Sequence, residues 1–503
     1  MNYAMIVNIL GWLLIVESLL MAPSALVALI YREKAGVAIL LTMVICSCIG
    51  AVMALARRPK KKRIYAKEGM VITALTWFAY SILGALPFRI SGYIPGMIDA
   101  VFEMASGFTT TGASILSDVE ALPHCLLFWR SFSHWVGGMG ILVFAMAVVP
   151  LAGGGSNMFM MKAESPGPSI KKIVPKVRGT AGLLYKIYIA ITLIQLVLLL
   201  VGRMPLFDAL CITFGTAGTG GFSIANSGCA DYSIYQQVVI TVFMIIFGTN
   251  FSAWYLLMKR RFKEALGISE VIVYYAIVAA SILLITFNIC GSYSGFGLAL
   301  KDAAFQVGSI ITTTGYATTD FNLWPSFSKW ILVLLMFCGA CAGSTGGGIK
   351  VSRIQIAFKT VIKEIDSVTH PNNVRKIKID GKQLEHSVLR GTNVFFMAYL
   401  LIYGLSVLLI SLDNFDLETN FTAVAATLNN IGPGLAGVGP TQNFSGYSPF
   451  STCVLIFDMI AGRLELFPVL ALLSINTWKE GGVIAPRGVF RKKQEDTEES
   501  TLF

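Results

Sequence analysis

The stretch FTTTGAS (108–114) recurs with small changes as ITTTGYAT (311–318), and both copies stand among Leu, Ile, Val and Phe. Aligning the chain on these two stretches gives four copies of one unit. They are DAVFEMASGFTTTGAS from Asp99, DALCITFGTAGTGGFS from Asp208, DAAFQVGSIITTTGYA from Asp302 and TNFTAVAATLNNIGPG from Thr419. In every copy a glycine falls 13 residues after the first position, namely Gly112, Gly221, Gly315 and Gly432.

Each unit predicts a short helix that leads into a polar loop. An Asp or Thr at the first position is a good helix N-cap. About ten mildly apolar residues follow, enough for a helix of about 15 Å, or half of a bilayer. The Thr, Asn and Gly residues that come next are poor helix formers. Since each unit lies between two apolar spans, the predicted pattern is span, half-helix, polar loop and span, four times over.

The composition predicts a membrane protein. Of 503 residues, 55% are hydrophobic and only 13% are charged, whereas a soluble domain carries about 25% charged residues. The mean hydropathy is +0.70, and apolar stretches long enough to cross a hydrocarbon core of ~30 Å recur along the chain. The first stretch lacks a basic start, which favours a retained helix over a signal peptide. The ten predicted spans are 4–30, 35–56, 69–90, 125–150, 183–202, 235–258, 271–292, 327–348, 393–412 and 447–475.

The distribution of Lys and Arg predicts the orientation. Five segments hold 31 of the 39 basic residues: 57–67, 151–186, 259–263, 350–390 and 479–503. With ten spans all five lie on one side, which the positive-inside rule assigns to the cytoplasm, together with both termini. The net charge of +11 therefore reflects topology. Nucleic-acid binding is not expected, because no basic stretch is interleaved with stacking aromatic residues.

Four polar loops at membrane depth predict a pore. Irregular backbone there is tolerated only where protein shields it or where it lines a watery path. Glycine permits positive φ, so that consecutive carbonyls can face one axis and replace the water shell of a cation. The partly negative C-terminal ends of the half-helices favour the same ion. The alternative is that these glycines only let helices pack closely, but four copies at one offset favour the pore.

The stretch CGACAGSTGGGIK (338–350) has two interpretations. Five of its thirteen residues are glycine, which argues against a firm helix. It is either a helix end with a flexible cap or a loop inside the membrane that blocks or clears the pore. Arg463 also has two interpretations, because an arginine within an apolar span needs a partner or water. It either forms an ion pair with another span or lines the pore as a positive charge.

Other features carry weaker signals. The nine cysteines, including Cys338 and Cys341 in a CxxC pattern placed within a predicted helix, are interpreted as buried small hydrophobes rather than as metal or redox sites. Segment 350–392 predicts a helix end followed by a short β-hairpin or turn, which faces anionic lipids or a cytosolic partner. The tail 479–503 is predicted to be disordered.

These motifs together resemble a known family. The four loops (TTTGAS, GTAGTGGFS, TTTGYAT and NNIGPGL), two extra N-terminal spans, SPGPS at 165–169 and AGSTGGGIK at 342–350 are similar to the Trk/Ktr/HKT superfamily of potassium transporters. Within it they resemble the bacterial Trk system membrane subunit of the TrkH/TrkG type. The fold class expected is an all-α polytopic membrane protein. It has four pseudo-repeats of span, pore half-helix, filter loop and span around one pore, plus two N-terminal spans, ten in all.

The resemblance implies potassium uptake across the bacterial inner membrane, gated by an intramembrane loop and by a cytosolic TrkA-type regulatory subunit that binds nucleotides. It also implies a homodimer that contacts membrane lipid. The chain is expected not to be an enzyme and to bind no cofactor, and K+ is the expected permeant ion. The alternative is an ion-coupled secondary transporter, either a K+/H+ or K+/Na+ symporter or a carrier of an organic solute. Such carriers typically show two related halves rather than four quarters.

The resemblance carries roles onto individual residues. The expected K+ selectivity filter consists of Thr110, Thr111, Gly112, Gly218, Thr219, Gly220, Gly221, Thr313, Thr314, Gly315, Asn430, Ile431 and Gly432. In the second copy either Gly218 or Gly221 could be the filter glycine, and the offset from Asp208 favours Gly221. The fourth copy differs from the family pattern at Asn429, Asn430 and Pro433. All four glycines are present, which favours K+ over Na+. The expected gate consists of Gly343, Ser344, Thr345, Gly346, Gly347, Gly348, Lys350 and Arg463.

The predicted division of the chain follows the repeats. Two N-terminal helices occupy 1–66 and pore repeat 1 occupies 67–150. Repeat 2, with a preceding cytoplasmic loop, occupies 151–260, and repeat 3, with the intramembrane loop, occupies 261–354. A cytoplasmic loop covers 355–390, repeat 4 covers 391–478 and a cytoplasmic tail covers 479–503.

Overall fold

The structure, a computed structural model, describes residues 1–56, 65–140, 177–370 and 376–478. Within these ranges the chain folds into α-helices and one β-hairpin. The helices of the first half are α1 (Tyr3–Leu20), α2 (Ala22–Tyr31), α3 (Gly36–Ala56), α4 (Ala66–Gly84), α5 (Leu86–Ser91), α6 (Met97–Phe108), α7 (His124–Gly138), α8 (Val177–Val201), α9 (Leu206–Gly218), α10 (Ile234–Phe247), α11 (Phe251–Met258) and α12 (Phe262–Leu266).

The second half continues the pattern. Its helices are α13 (Ser269–Ile289), α14 (Phe296–Ile311), α15 (Ser326–Phe337), α16 (Val351–Thr369), α17 (His386–Ile410), α18 (Leu417–Leu428), α19 (Pro449–Arg463), α20 (Phe467–Leu473) and α21 (Ile475–Trp478). Strands β1 (Lys378–Ile379) and β2 (Lys382–Gln383) pair antiparallel. The helix and hairpin predicted within 350–392 are therefore present.

The chain is a helical polytopic membrane protein. Six helical stretches in the described ranges are long and apolar enough to cross a membrane, and the bent pair α10 and α11 would make a seventh. They are Tyr3–Tyr31, Gly36–Ala56, Ala66–Ser91, Gly182–Val201, Ser269–Ser292 and His386–Asp413. The ten-span arrangement stays a prediction. The second half of the predicted span 125–150 lies outside the described residues, as do the SPGPS motif and the tail.

Within the described residues, three of the predicted spans contain a break of three or more residues between helices. Helices α10 and α11 meet at 96° across a short break. Helix α15 ends at Phe337, so that Cys338 and Cys341 follow it rather than lie within it. Helix α19 ends at Arg463, and α20 begins four residues later at Phe467. The apolar pattern locates each segment but not its break, because leucine-rich sequence is equally compatible with a straight helix and with a broken one.

The four predicted half-helices are present as α6, α9, α14 and α18, with 12, 13, 16 and 12 residues. The predicted N-caps are wrong. The residues that precede these helices are Gly96, Pro205, Gly295 and Asp416, whereas Asp99, Asp208 and Thr419 lie in the first helical turn and Asp302 lies in the second. Asp99 and Asp208, in the first turn, still interact favourably with the positive end of the helix dipole without capping it.

Candidate functional site

The four loops that follow the half-helices share one backbone pattern. We number them loop 1 (109–115), loop 2 (219–225), loop 3 (312–318) and loop 4 (429–435). Each contains a non-glycine residue in the left-handed region and, two positions later, a glycine with positive φ. The pairs are Thr110 and Gly112 (φ 56° and 81°), Thr219 and Gly221 (53° and 77°), Thr313 and Gly315 (57° and 87°), and Asn430 and Gly432 (57° and 102°).

This pattern settles which glycine of loop 2 corresponds to the other three. Gly221 occupies the place of Gly112, two residues after the left-handed threonine. Gly218 is the last residue of α9, where a Cβ would lie 2.1 Å from the carbonyl oxygen of His134. Gly218 is therefore required for packing against α7 rather than for the conformation of the loop.

The four loops contact one another in a closed cycle. A Cβ added to the left-handed glycine of each loop would overlap a carbonyl oxygen of the next loop. The distances are 2.1 Å from Gly112 to Gly220, 1.8 Å from Gly221 to Thr314, 2.0 Å from Gly315 to Ile431 and 2.8 Å from Gly432 to Thr111. Loop 1 thus contacts loop 2, loop 2 contacts loop 3, loop 3 contacts loop 4 and loop 4 contacts loop 1.

The segments beyond the loops repeat the same cyclic order. Each neighbouring pair is joined by a hydrogen bond between donor and acceptor atoms at most 3.0 Å apart. The donors and acceptors are Asn226 Nδ2 to Asp118 Oδ1, Cys229 N to Ala317 O, Ala436 N to Asn322 Oδ1, and Phe444 N to Ser114 O. Neighbouring loops are therefore joined by two sets of contacts, the glycine–carbonyl contacts and these hydrogen bonds.

The chemistry of the loops is that of neutral oxygen atoms. The side chains of Thr110, Thr313 and Asn430 are fully buried, and each loop continues from the C-terminal end of its half-helix. Within the described ranges no cluster of three or more His, Cys, Asp or Glu residues could hold a metal ion. Carbonyl and hydroxyl oxygens without carboxylates suit a weakly hydrated monovalent cation better than a divalent one.

A buried ion pair joins loops 1 and 2, and the sequence analysis missed it. The carboxylate of Glu103 on α6 accepts from Arg130 Nε at 2.5 Å and from the backbone N–H of Ile115 at 3.0 Å. Arg130 also donates to the carbonyl of Ser223 at 2.7 Å and lies over the Phe222 ring at 3.6 Å. The available signal was a charged residue within each of the apolar stretches FEMASGF and FWRSFSHW.

His134 makes a second connection, from the end of α6 to loop 2. Its Nδ1 lies 2.7 Å from the carbonyl oxygen of Gly107, near the end of α6, and its Nε2 accepts from the backbone N–H of Phe222 at 3.2 Å. A Cβ on Gly220 would lie 2.2 Å from the imidazole Cγ. A buried imidazole that donates at one nitrogen and accepts at the other is neutral, so His134 acts here as a structural bridge.

The glycine-rich loop (338–350) packs directly against loops 3 and 4. The backbone N–H of Gly347 donates to Thr313 Oγ1 at 2.7 Å. A Cβ on Gly347 would lie 2.7 Å from the carbonyl oxygen of Asn429, and one on Gly346 would lie 3.1 Å from that of Thr312. The segment between α15 and α16 is therefore an ordered loop beside the ring of loops, not only a helix cap.

Three charged side chains hold the glycine-rich loop in place. Arg463 donates from Nη1 to the carbonyl of Thr345 at 2.8 Å, and from Nη2 to the carbonyls of Gly137 at 2.6 Å and Gly138 at 2.8 Å. Lys350 donates to the carbonyl of Gly347 at 3.0 Å and also contacts that of Gly346. Glu270 on α13 accepts from the backbone N–H of Ala342 within the loop (2.7 Å) and of Ser352 in the first turn of α16 (3.1 Å).

The hydrogen bonds of Arg463 run to backbone carbonyls, and its role as a pore-lining charge or as a partner in an ion pair stays a prediction. The acidic residues nearest to it in sequence have other partners: Glu465 pairs with Arg353, and Asp458 accepts from Ser406 Oγ at 2.7 Å. Arg463 instead joins the glycine-rich loop to the C-terminal end of α7 through backbone carbonyls. All nine cysteines are free, but the prediction that they are buried is wrong for Cys48 and Cys453, which are exposed, and for Cys290, which is half-buried.

Comparisons with known proteins identify the family. The TrkH family model, described as a cation transport protein, matches residues 35–290 and 289–479. The chain is 37% identical to the Trk system potassium uptake protein TrkH of Salmonella typhimurium, over 95% of this chain and 100% of that one. It is 32% identical to TrkG of Escherichia coli, over 94% of this chain and 98% of that one.

A solved structure is similar over the same length. The crystal structure of the potassium transporter TrkH from Vibrio parahaemolyticus superimposes with a TM-score of 0.86 at 34% sequence identity. The match covers 95% of this chain and 100% of the crystallised one.

Proposed function

The chain belongs to the TrkH family of cation transport proteins, and from that premise we propose that it takes up K+ across the bacterial inner membrane. The observation that carries the proposal is the closed cycle of four loops, in which each left-handed glycine lies against a carbonyl oxygen of the next loop. Four related loops of a single chain then surround one ion pathway, as the four pseudo-repeats of the sequence predict.

The selectivity filter is formed by the loop residues named above, with Gly112, Gly221, Gly315 and Gly432 at its four equivalent places. Left-handed residues at alternate positions allow successive carbonyls to face the same axis, where they replace the hydration shell of a permeating ion. Non-covalent contacts between loops, such as the ion pair of Glu103 and Arg130, keep the carbonyl spacing fixed. A fixed spacing is one physical source of discrimination between K+ and Na+.

The glycine-rich loop with Lys350 and Arg463 is the gate. Its backbone lies against loops 3 and 4, and Arg463 ties it to the end of α7, so that it is placed to obstruct the path next to the filter. Two cationic side chains beside a cation path raise the electrostatic barrier to entry. Moving the loop, and with it these charges, opens the path.

The proposed assembly is a homodimer that binds a cytosolic TrkA-type nucleotide-binding subunit. Helix α16 begins one residue after Lys350 and carries the exposed apolar side chains Phe358, Ile365 and Val368. A partner that grips this helix would pull directly on the gate. Ten spans, with both termini in the cytoplasm, place α16 and the β-hairpin on the cytoplasmic side.

Ion uptake into proteoliposomes tests this proposal. Purified full-length chain should take up 86Rb+, a tracer for K+, down an imposed electrochemical gradient, and unlabelled K+ should compete far better than Na+. Labelled amino acids should not enter above the protein-free background. Equal competition by Na+ and K+, or uptake of the organic solute instead, would contradict the assignment.

A further inference from the structure

The residue that begins the left-handed pattern in each loop is unusual. Three of the four are threonine, at φ between 53° and 57°. A β-branched residue rarely adopts this conformation, whereas glycine or asparagine does so at lower cost. Backbone strain of this kind persists where the surroundings enforce it, commonly at functional sites. The side-chain oxygen is the property that threonine offers and glycine does not.

The side-chain oxygens at this position are unevenly used. Thr110 Oγ1 and Asn430 Oδ1 are fully buried and have no hydrogen-bond partner among the described residues. Thr313 Oγ1 accepts the N–H of Gly347 at 2.7 Å, whereas the Thr219 hydroxyl donates to the carbonyl of Gly218 at 2.6 Å. Because buried polar atoms are nearly always paired, two unpaired oxygens at equivalent places indicate a missing ligand.

The glycine-rich loop occupies the space between two of these oxygens. The N–H of Gly347 contacts Thr313 Oγ1, and a Cβ on Gly347 would lie 3.0 Å from Asn430 Oδ1. Any larger residue at position 347 would therefore press on the Asn430 side chain. The side-chain oxygens of Thr313 and Asn430 therefore both lie next to Gly347 of the glycine-rich loop.

We propose that the glycine-rich loop competes with the permeant cation for the side-chain oxygen of Thr313, which belongs with those of Thr110 and Asn430 to the proposed filter. The inference rests on the proposed ion pathway and adds a regulation to it. When the glycine-rich loop is in place, the Gly347 N–H takes up the Thr313 oxygen. When the loop withdraws, that oxygen becomes a ligand of the ion.

Competition at one oxygen couples the ion to the gate. The positive end of an N–H dipole and a cation repel each other when both approach the same lone-pair region. Coupling free energies are reciprocal, so an open gate strengthens cation binding at this site and a bound cation favours the open gate by the same factor. Potassium is thus both the cargo and a ligand that loosens the gate.

Hydrogen–deuterium exchange measures this directly, because the Gly347 amide is itself the reporter. Full-length protein in lipid nanodiscs is compared in K+ and in an equal concentration of N-methyl-D-glucamine, a cation too large for the site. Exchange of the peptide covering 343–350 should be faster in K+ by at least about fivefold, the lower end of ordinary coupling factors. Exchange that is unchanged or slower in K+ overturns the proposal.

Four variants distinguish a Thr313 hydroxyl that is shared between the ion and the Gly347 N–H from one that has only a structural role. Thr313→Val should exchange quickly in both solutions, whereas Thr313→Ser, which keeps the hydroxyl, should behave as the wild type. Thr110→Val should leave the amide protected in N-methyl-D-glucamine but lose the K+ effect, because it removes a ligand without touching the gate. Thr219→Val, whose hydroxyl bonds to Gly218, should retain the K+ effect.

The outcomes also distinguish this inference from the proposed function. Should Thr313→Val fail to fold, Thr110→Val alone decides, and a K+ effect of wild-type size in that variant contradicts the shared site. If K+-selective 86Rb+ uptake is present while the K+ effect on exchange is absent, only the inference fails. If the chain takes up no K+, the proposed function fails first.

Discussion

At the scale of single residues, the four left-handed glycines carry the strongest prediction. Gly112→Ser places a Cβ at a φ of 81°, 2.1 Å from the Gly220 carbonyl oxygen, so loop 2 must move and the carbonyl spacing must change. We expect K+ over Na+ discrimination to fall about tenfold, or ~1.4 kcal/mol, within the usual range of backbone strain. Competition for 86Rb+ uptake measures it.

The matched control for this substitution is Gly404→Ser, because an added Cβ at Gly404 meets no atom within 4 Å. It should leave the K+ to Na+ ratio at the wild-type value. A Gly112→Ser protein that discriminates as the wild type does would remove loop 1 from the filter.

Arg463 carries a second prediction at this scale. Arg463→Ala removes a positive charge and the bonds to Thr345, Gly137 and Gly138, so ion flux per folded protein should rise while selectivity stays, because the filter carbonyls are elsewhere. Arg390→Ala, which removes an exposed arginine from α17, is the control. A scaffold role predicts instead a loss of stability of ~3–5 kcal/mol with no gain in flux, as for a broken buried pair.

At the scale of elements, one carboxylate joins the glycine-rich loop to the first turn of α16. Glu270→Gln keeps the shape of that side chain and removes the charge that strengthens its bonds to Ala342 and Ser352. We expect faster 86Rb+ flux without any cytosolic partner. Glu264→Gln, at an exposed glutamate of α12, should not change it, and equal flux in the two variants would leave Glu270 outside the gate.

A different element, α7, begins with a cap supplied from far away in sequence. Pro123 precedes the helix and offers no capping side chain, and Glu33 accepts from the backbone of His124 at 2.8 Å and of Cys125 at 2.9 Å. Partial burial raises the pKa of Glu33, but the hydrogen bonds from Cys125 and His124 outweigh it, so that the net pKa is lowered. The carboxylate therefore stabilises the folded state above its unfolded pKa, and that stability is lost as the pH falls through the folded pKa.

The corresponding prediction compares thermal unfolding of the wild type and Glu33→Gln. Near pH 7 the variant should be less stable by about 0.5–2 kcal/mol, the usual worth of an N-cap. The difference should shrink as the pH is lowered below about 4, since the unperturbed glutamate pKa is ~4.3. A difference that is constant from pH 7 to pH 3.5 would show that the charge of Glu33 does not act as the cap.

Elements also show what the sequence could and could not predict. The recurring Thr-Gly unit located all four half-helices and loops, because a polar, glycine-containing break in an apolar chain has few structural uses. The break between α10 and α11, and the contacts of Glu103, Arg130, His134 and Glu270, could not be predicted. Those contacts join residues far apart in sequence, such as Glu270 and Ala342, and no local periodicity encodes such a pairing.

At the scale of the whole molecule, the ring of loops explains why one chain needs four imperfect copies of a unit. Each interface between neighbouring loops uses different residues, such as Arg130 with Ser223 between loops 1 and 2, and Asn322 with Ala436 between loops 3 and 4. Identical copies in a ring would repeat one contact at all four interfaces. The departures in loop 4, Asn429 and Asn430, fall where Gly347 of the glycine-rich loop packs.

The orientation of the molecule can be tested by labelling from each side of the membrane. The segments after loops 1 and 2 contact each other through Asp118 and Asn226, so a cysteine introduced by Glu120→Cys or by Ser227→Cys should react from one side, the periplasm. Lys259→Cys and Lys376→Cys lie in basic segments that the positive-inside rule assigns to the cytoplasm. The background replaces Cys48, Cys290 and Cys453, the cysteines that are not buried. An impermeant maleimide added to intact cells should label the first pair only, and labelling of the second pair in intact cells would invert the topology and place the gate outside.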